Sequence, residues 1–197
     1  MALMLPRSVF YHIPKTGGTW VRQAIKNAGI PTVELGDTPD PGVNKHNRFV
    51  SVDTMGRFTF AFVRHPLDWY VSFWSYRMRT GWMDEDCLDP YMSKDFEEFI
   101  RGVLRHLPGQ LSHRFERYVG PPPGVLDFVG KQENLAEDLI RALRLAGEEF
   151  DEGKILATPP QNVSVNRPRY SSDLLRAVLE SEYPAMVRFG YASILGT

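Results

Sequence analysis

The run Ser8-Val9-Phe10-Tyr11-His12-Ile13 followed by Pro14-Lys15-Thr16-Gly17-Gly18-Thr19-Trp20 is the stretch on which the fold turns. Its first six residues are mostly apolar and read as a strand ended by Pro14. From Trp20 onward the apolar residues Trp20, Val21, Ala24, Ile25 and Ala28 recur at helical spacing, with Gly29 in the place of a C-cap. A strand, a short turn holding a lysine and two glycines, and a helix therefore follow one another directly.

Working outward, Pro31 to Leu35 reads as a short second strand, and Gly36 to Arg57 as a long loop rich in turn formers. Loops of that length in a compact domain usually carry function. Phe58-Thr59-Phe60-Ala61-Phe62-Val63 is the clearest strand, nearly continuous in apolar residues as a strand covered on both faces should be. Pro66 suits the first turn of the next helix, on which Leu67, Tyr70, Val71, Trp74 and Met78 form an apolar stripe. Helical segments are expected near Ser93–Arg105 and Gln110–Tyr118, and a third core strand at Val125–Gly130. The helix after it carries Leu135, Leu139, Ala142, Leu143 and Ala146 on one face; a last helix spans Asp173–Ser181 with Ser172 as N-cap. Strands alternating with helices predict an α/β fold, a three-layer parallel sheet flanked by helices, over a single domain 1–197. Pro121-Pro122-Pro123-Gly124 is a stiff linker within it.

Composition narrows the class. The chain has 197 residues, enough to bury a core, and its formal net charge of -1 supplies no global field for nucleic acid or an anionic membrane. Anion recognition must be local. A single cysteine, Cys87, excludes an internal disulfide and a cysteine-based zinc cluster, and its acidic neighbours Asp84, Glu85 and Asp86 disfavour a thiolate. The N-terminus lacks the pattern of a signal peptide, and no stretch approaches the ~20 apolar residues of a membrane span. A cytoplasmic location is expected.

Two segments carry chemistry. In Pro14–Thr19 the glycines let the backbone turn tightly, the helix start adds unpaired donors and a positive dipole end, and Lys15 adds a mobile cation. Together with Thr16 and Thr19 they make a site for phosphate or sulfate. The lysine precedes the glycines, so this is not the nucleotide loop of form G-x-x-x-x-G-K-[ST]. In Val63-Arg64-His65-Pro66, Arg64 falls at the carboxyl end of a core strand, with Ser72 two turns into the helix behind it. A guanidinium fork and a hydroxyl suit a second phosphate. In parallel sheets ligands gather beyond the carboxyl ends of the strands.

His12-Ile13-Pro14-Lys15-Thr16-Gly17-Gly18-Thr19, Phe62-Val63-Arg64-His65-Pro66 and Ser72 together resemble the two donor-binding motifs of sulfotransferases that use 3′-phosphoadenosine 5′-phosphosulfate (PAPS). The run Gly130-Lys131-Gln132-Glu133-Asn134-Leu135 with Asp138-Leu139 is similar to that family's GxxENLxxDL stretch, and Phe189-Gly190-Tyr191 extends the likeness. The resemblance implies a P-loop NTPase-like sulfotransferase fold and transfer of a sulfuryl group to a hydroxyl or amine of a small-molecule or carbohydrate acceptor. It implies release of 3′-phosphoadenosine 5′-phosphate (PAP) without a metal, a nucleic acid or a membrane. By it, Lys15, Thr16, Gly17, Gly18, Thr19 and Trp20 hold the 5′-phosphosulfate, Lys15 also acting catalytically on the leaving oxygen, while Arg64 and Ser72 hold the 3′-phosphate.

The base is less constrained. Of five histidines, His12 and His65 sit where they orient neighbours, and His106 and His113 where a surface histidine is ordinary. His46, in Asn44-Lys45-His46-Asn47, lies in the long loop where the family commonly carries a histidine, and its ordinary pKa of ~6.5 suits a general base. Arg167 and Arg169 lie in a basic late loop of the kind that closes over the nucleotide in many sulfotransferases. Trp69, Phe73 and Tyr76, with Trp82, form an aromatic stripe that reads first as core and second as an acceptor wall. The acidic stretch around Asp84–Asp89 reads as a solvated run or a receptor for a cationic acceptor. Two other functions remain open: a nucleotide-dependent kinase of related fold, and a non-catalytic binder of phosphoadenosine nucleotides.

Overall fold

The computed structural model describes residues 2–35, 54–84, 86–161 and 167–192. The chain clusters into two compact units, Met1–Arg64 with Phe115–Asn162, and His65–Arg114 with Val163–Thr197.

The first unit is built on a five-stranded sheet: β1 (Ala2–Met4), β2 (Ser8–Tyr11), β3 (Val33–Leu35), β4 (Phe58–Val63) and β5 (Phe128–Lys131), in the order β3-β1-β2-β4-β5. β2, β4 and β5 are parallel neighbours, while β1 pairs antiparallel with both β2 and β3. The expected all-parallel sheet is thus mixed. β1 is reversed because only Pro6 and Arg7 separate the Leu5 N–H from the Ser8 carbonyl it bonds at 2.8 Å, too short a connection for a crossover. That strand carries no alternation and was not legible in the sequence. The third core strand begins at Phe128, three residues later than expected, because Asp127 is spent as a clamp. Its carboxylate accepts from the Thr59 amide (2.7 Å) and hydroxyl (2.8 Å), which fixes the register in which Phe128 pairs with Phe60.

The even-numbered strand residues Phe10, Phe60, Phe62 and Phe128 enter one core with Trp20, Val21, Ala24 and Ile25 of α1 (Gly18–Asn27). Leu139, Ile140, Ala142 and Leu143 of α5 (Leu135–Leu145) complete it with Ile155 of α6 (Glu152–Leu156). Full burial of each valine, leucine, isoleucine or phenylalanine among them contributes about 1.5–3 kcal/mol. Val9, Tyr11, Ala61 and Val63 alternate with them and are buried as well, as the unbroken apolar run of β4 predicted. Glu148 accepts from the Arg7 amide and the Ser8 hydroxyl, both at 2.8 Å, tying the start of β2 to the chain beyond α5.

The second unit is helical. It holds α2 (Pro66–Thr80), α3 (Phe96–His106), the first half of α4 (Gln110–Val119), α7 (Ser172–Ser181) and α8 (Tyr183–Arg188). The segments α6 and α8 were not expected; each is barely longer than one turn. The N-cap of α7 is Ser171 rather than Ser172, and its side chain makes no capping bond. Instead Glu97 of α3 accepts from the Ser171 amide at 2.7 Å, and that backbone bond holds the Glu97 carboxyl below its ordinary range. Trp69 and Phe73 stack with centroids 5.4 Å apart, and Phe73 stacks on Phe99 at 6.0 Å, so these two residues of the stripe are core, while Tyr76 and Trp82 are half-buried.

Polar groups are buried here as well. Arg77 pairs with Asp89 at 2.7 Å with both side chains nearly inaccessible, and Arg114 forks onto both oxygens of Asp86 at 2.7 and 2.8 Å. Within the acidic stretch Asp86 and Asp89 are spent on internal pairs, while Asp84 is exposed. Burial, and then Asp86 against the opposing pull of Arg114, leave the Cys87 thiol raised, in keeping with an unreactive cysteine. No helix among the described residues is long and apolar enough to cross a membrane.

Candidate functional site

The turn between β2 and α1 is closed by Thr16, whose buried hydroxyl donates to the Ile13 carbonyl at 2.9 Å. On either side of it the backbone is left-handed, at Lys15 (φ 67°) and Gly17 (φ 87°). For Lys15, which has a Cβ, that conformation costs about 1 kcal/mol, the kind of strain that collects at working sites. Gly17 is the N-cap of α1, with no side-chain cap and no acidic residue in the first turn. The first ladder bond runs from the Val21 amide to the Gly17 carbonyl (3.1 Å), so the amides of Gly18, Thr19 and Trp20 lead the helix. This end of α1 offers backbone donors and a positive partial charge with no carboxylate of its own to neutralise it.

Shape explains both glycines. A Cβ on Gly18 would overlap the His12 imidazole, and one on Gly17 would lie 2.7 Å from Leu135 Cδ2. Leu135 opens α5, so the segment after β5 supports the turn from behind. Asp138, one helical turn further on, accepts from the Lys131 amide at 2.7 Å. Gly130 is required in turn, since a Cβ there would sit 2.6 Å from the Phe62 ring. Spacing placed Leu135 on the apolar face of its helix but gave no sign that it backs the turn, and Asp138 entered only as a letter of a family likeness.

Arg64 follows the last residue of β4. Parallel pairing of Tyr11 with Ala61 and of Val63 with Lys131 brings the ends of β2, β4 and β5 to the same edge. There the Arg64 Nη1 donates to the Lys15 carbonyl at 3.3 Å. Two residues 49 positions apart in the sequence thus meet in one unit, the guanidinium bracing the strained lysine. Burial pushes the neighbouring Tyr11 phenol up to about 12, so it stays protonated at neutral pH.

Trp20 belongs to the core of this unit, its indole N–H reaching the Thr158 carbonyl at 3.3 Å. Three residues named from the sequence belong to the second unit. Ser72 is half-buried on α2; Arg167 is exposed and 3.5 Å from Asp68; Arg169 is exposed. In that unit His65 caps α2 by accepting from the Leu67 amide at 3.3 Å and meets Tyr191 edge to face at 5.2 Å. His12 lies against Gly18. His46 lies outside the described residues. His106 stacks on Tyr91 at 5.2 Å.

No protein-family model matches the chain, and no curated protein and no solved structure matches it. What the site can do follows from its own groups. A left-handed lysine, an uncapped helix start and an arginine at the adjacent strand end form a cationic edge suited to a substrate with more than one anionic group.

Proposed function

We propose that the chain is a sulfotransferase with the three-layer, P-loop-like architecture, moving a sulfuryl group from PAPS to a hydroxyl or amine. The observation that carries the reading is the Arg64 bond to the carbonyl of left-handed Lys15, at the uncapped start of α1. It joins two anion-binding elements on one edge, and PAPS carries a 5′-phosphosulfate and a 3′-phosphate on one molecule. Gly17 and Gly18 place no side chain of their own at the helix start, which fits a phosphosulfate drawn against it.

PAPS supplies an activated sulfuryl group on a phosphate leaving group. The acceptor oxygen or nitrogen bonds to sulfur as the sulfur–oxygen bond to phosphate breaks, the electron pair stays on that oxygen, and PAP departs. Lys15 and the Gly18–Trp20 amides stabilise the charge collecting on the leaving oxygen, and Arg64 holds the distant phosphate. The acceptor proton passes to a base, for which His46 is the proposed group.

Calorimetric titration with PAP in the absence of magnesium, with ADP as control, tests the reading. PAP should bind far more tightly than ADP. Lys15→Ala and Arg64→Ala should each weaken PAP about 10- to 100-fold, the loss of a hydrogen bond to a charged group. Equal binding of PAP and ADP, or binding only of ATP with magnesium, would sink it.

A further inference from the structure

The outward face of α7 differs from the face that packs. Leu174 and Val178 are buried in the core and Leu179 is 7% exposed; Ser172, Leu175, Arg176, the edge of Leu179 and Glu180, with Tyr183 at the start of α8, line a groove of about 670 Å³. Leu175 is 37% exposed, and Tyr183 and Val187 are each 52% exposed. Leu175, Leu179 and Tyr183 follow at four-residue spacing, and Arg176 and Glu180 form a second row beside them. Among the described residues, the side chains of Arg176 and Glu180 make no ion pair or hydrogen bond. Their order explains this: within a helix an acid preceding a base by four residues pairs well, and here the base comes first.

We propose that this face pairs with a second copy of the chain, the two α7 helices lying antiparallel about a two-fold axis. An axis crossing α7 level with Ala177 and Val178 sets Arg176 of each copy opposite Glu180 of the other. The same axis sets Leu175 opposite Leu179 and Ser172 opposite Tyr183. One face supplies both halves of every contact, the condition for an isologous dimer. The opposed charges single out a second copy over any other occupant, because the pattern is complementary to itself.

Sedimentation velocity on the full chain from low to high micromolar concentration tests this, with circular dichroism to confirm that each variant keeps the native melting curve. The native chain should show a monomer–dimer equilibrium. Arg176→Glu and Glu180→Arg should each weaken it by about tenfold or more, since every single reversal places like charges together twice. The doubly reversed chain, R176E with E180R, should regain native affinity within a few-fold, and Leu175→Asp should abolish the dimer. A chain monomeric at every concentration overturns the proposal. So does a dimer indifferent to the single reversals, or a double reversal no stronger than the singles.

Discussion

The two units solve the problem of polar groups in opposite ways. In the first, the sheet core is aromatic and aliphatic, and charge is kept to the strand ends, where Arg64 braces the carbonyl of Lys15. In the second, charge goes inside. Glu182, with no exposed surface, accepts from the Tyr70 hydroxyl at 2.6 Å, the Leu111 amide at 3.1 Å, and the Ser112 amide and hydroxyl at 2.8 and 2.7 Å. Arg77–Asp89 and Arg114–Asp86 repeat the pattern, with Arg77 5.5 Å over Phe73 and Arg114 5.1 Å over Trp69. A buried charge engaged this way specifies which helices pack together and is not offered to a ligand. The contrast teaches where to look for chemistry: at the edge where charge is braced by backbone, not where it is consumed by the core.

Breaking Glu182 is the strongest test of that contrast. Glu182→Ala would leave the first-turn amides of α4 and the buried Tyr70 hydroxyl without their acceptor, a loss of about 3–5 kcal/mol. Chemical denaturation should show it directly. Glu182→Gln keeps the shape and one acceptor oxygen, so its loss should be smaller. Burial, then the Glu182 charge and hydrogen bond, holds the Tyr70 phenol far above its ordinary value. Equal stability of the native and alanine chains would show that the second unit is held by its aromatic stack alone.

Gly18 tests the first unit in the same manner, through shape in place of charge. Gly18→Ala must displace the His12 ring, and overpacking of that kind costs about 1–3 kcal/mol. His12→Ala in the same chain removes the obstruction, so the double variant should recover most of the loss. A Gly18→Ala chain as stable as the native one would mean that the ring yields without resistance and that glycine is not required there.

Legibility from the sequence follows the same division. β4 and α1 were readable because an unbroken apolar run and a helical stripe both record burial in a sheet-and-helix core. The strand–turn–helix placed Lys15 correctly, and the end of β4 placed Arg64, because position relative to a strand end is local information. That the two residues touch depends on parallel register, which no local pattern encodes. β1 was missed because three residues carry too little periodicity, and with it the mixed character of the sheet. In the second unit Asp86 and Asp89 misled, since a carboxylate bound to an arginine 12 residues away, as Asp89 is to Arg77, looks like a solvated one until the fold closes.

The smallest expected effect is electrostatic and tied to pH. Burial pushes the Asp86 carboxyl upward, but the two hydrogen bonds and the charge of Arg114 outweigh it, and its pKa is lowered on balance. A carboxyl depressed by folding contributes stability above its unfolded pKa of ~3.9, and that contribution fades as pH falls through the lower folded value. Asp86→Asn should therefore cost about 1 kcal/mol at neutral pH, between the range of a surface pair and that of a fully buried one. Thermal melts of the native chain and the variant should converge as the pH drops below the ordinary carboxylate range. A gap of the same size at neutral and strongly acid pH would mean that Asp86 acts through packing beside Arg114 and not through its charge. The second unit would then resemble the first more closely than its buried charges suggest.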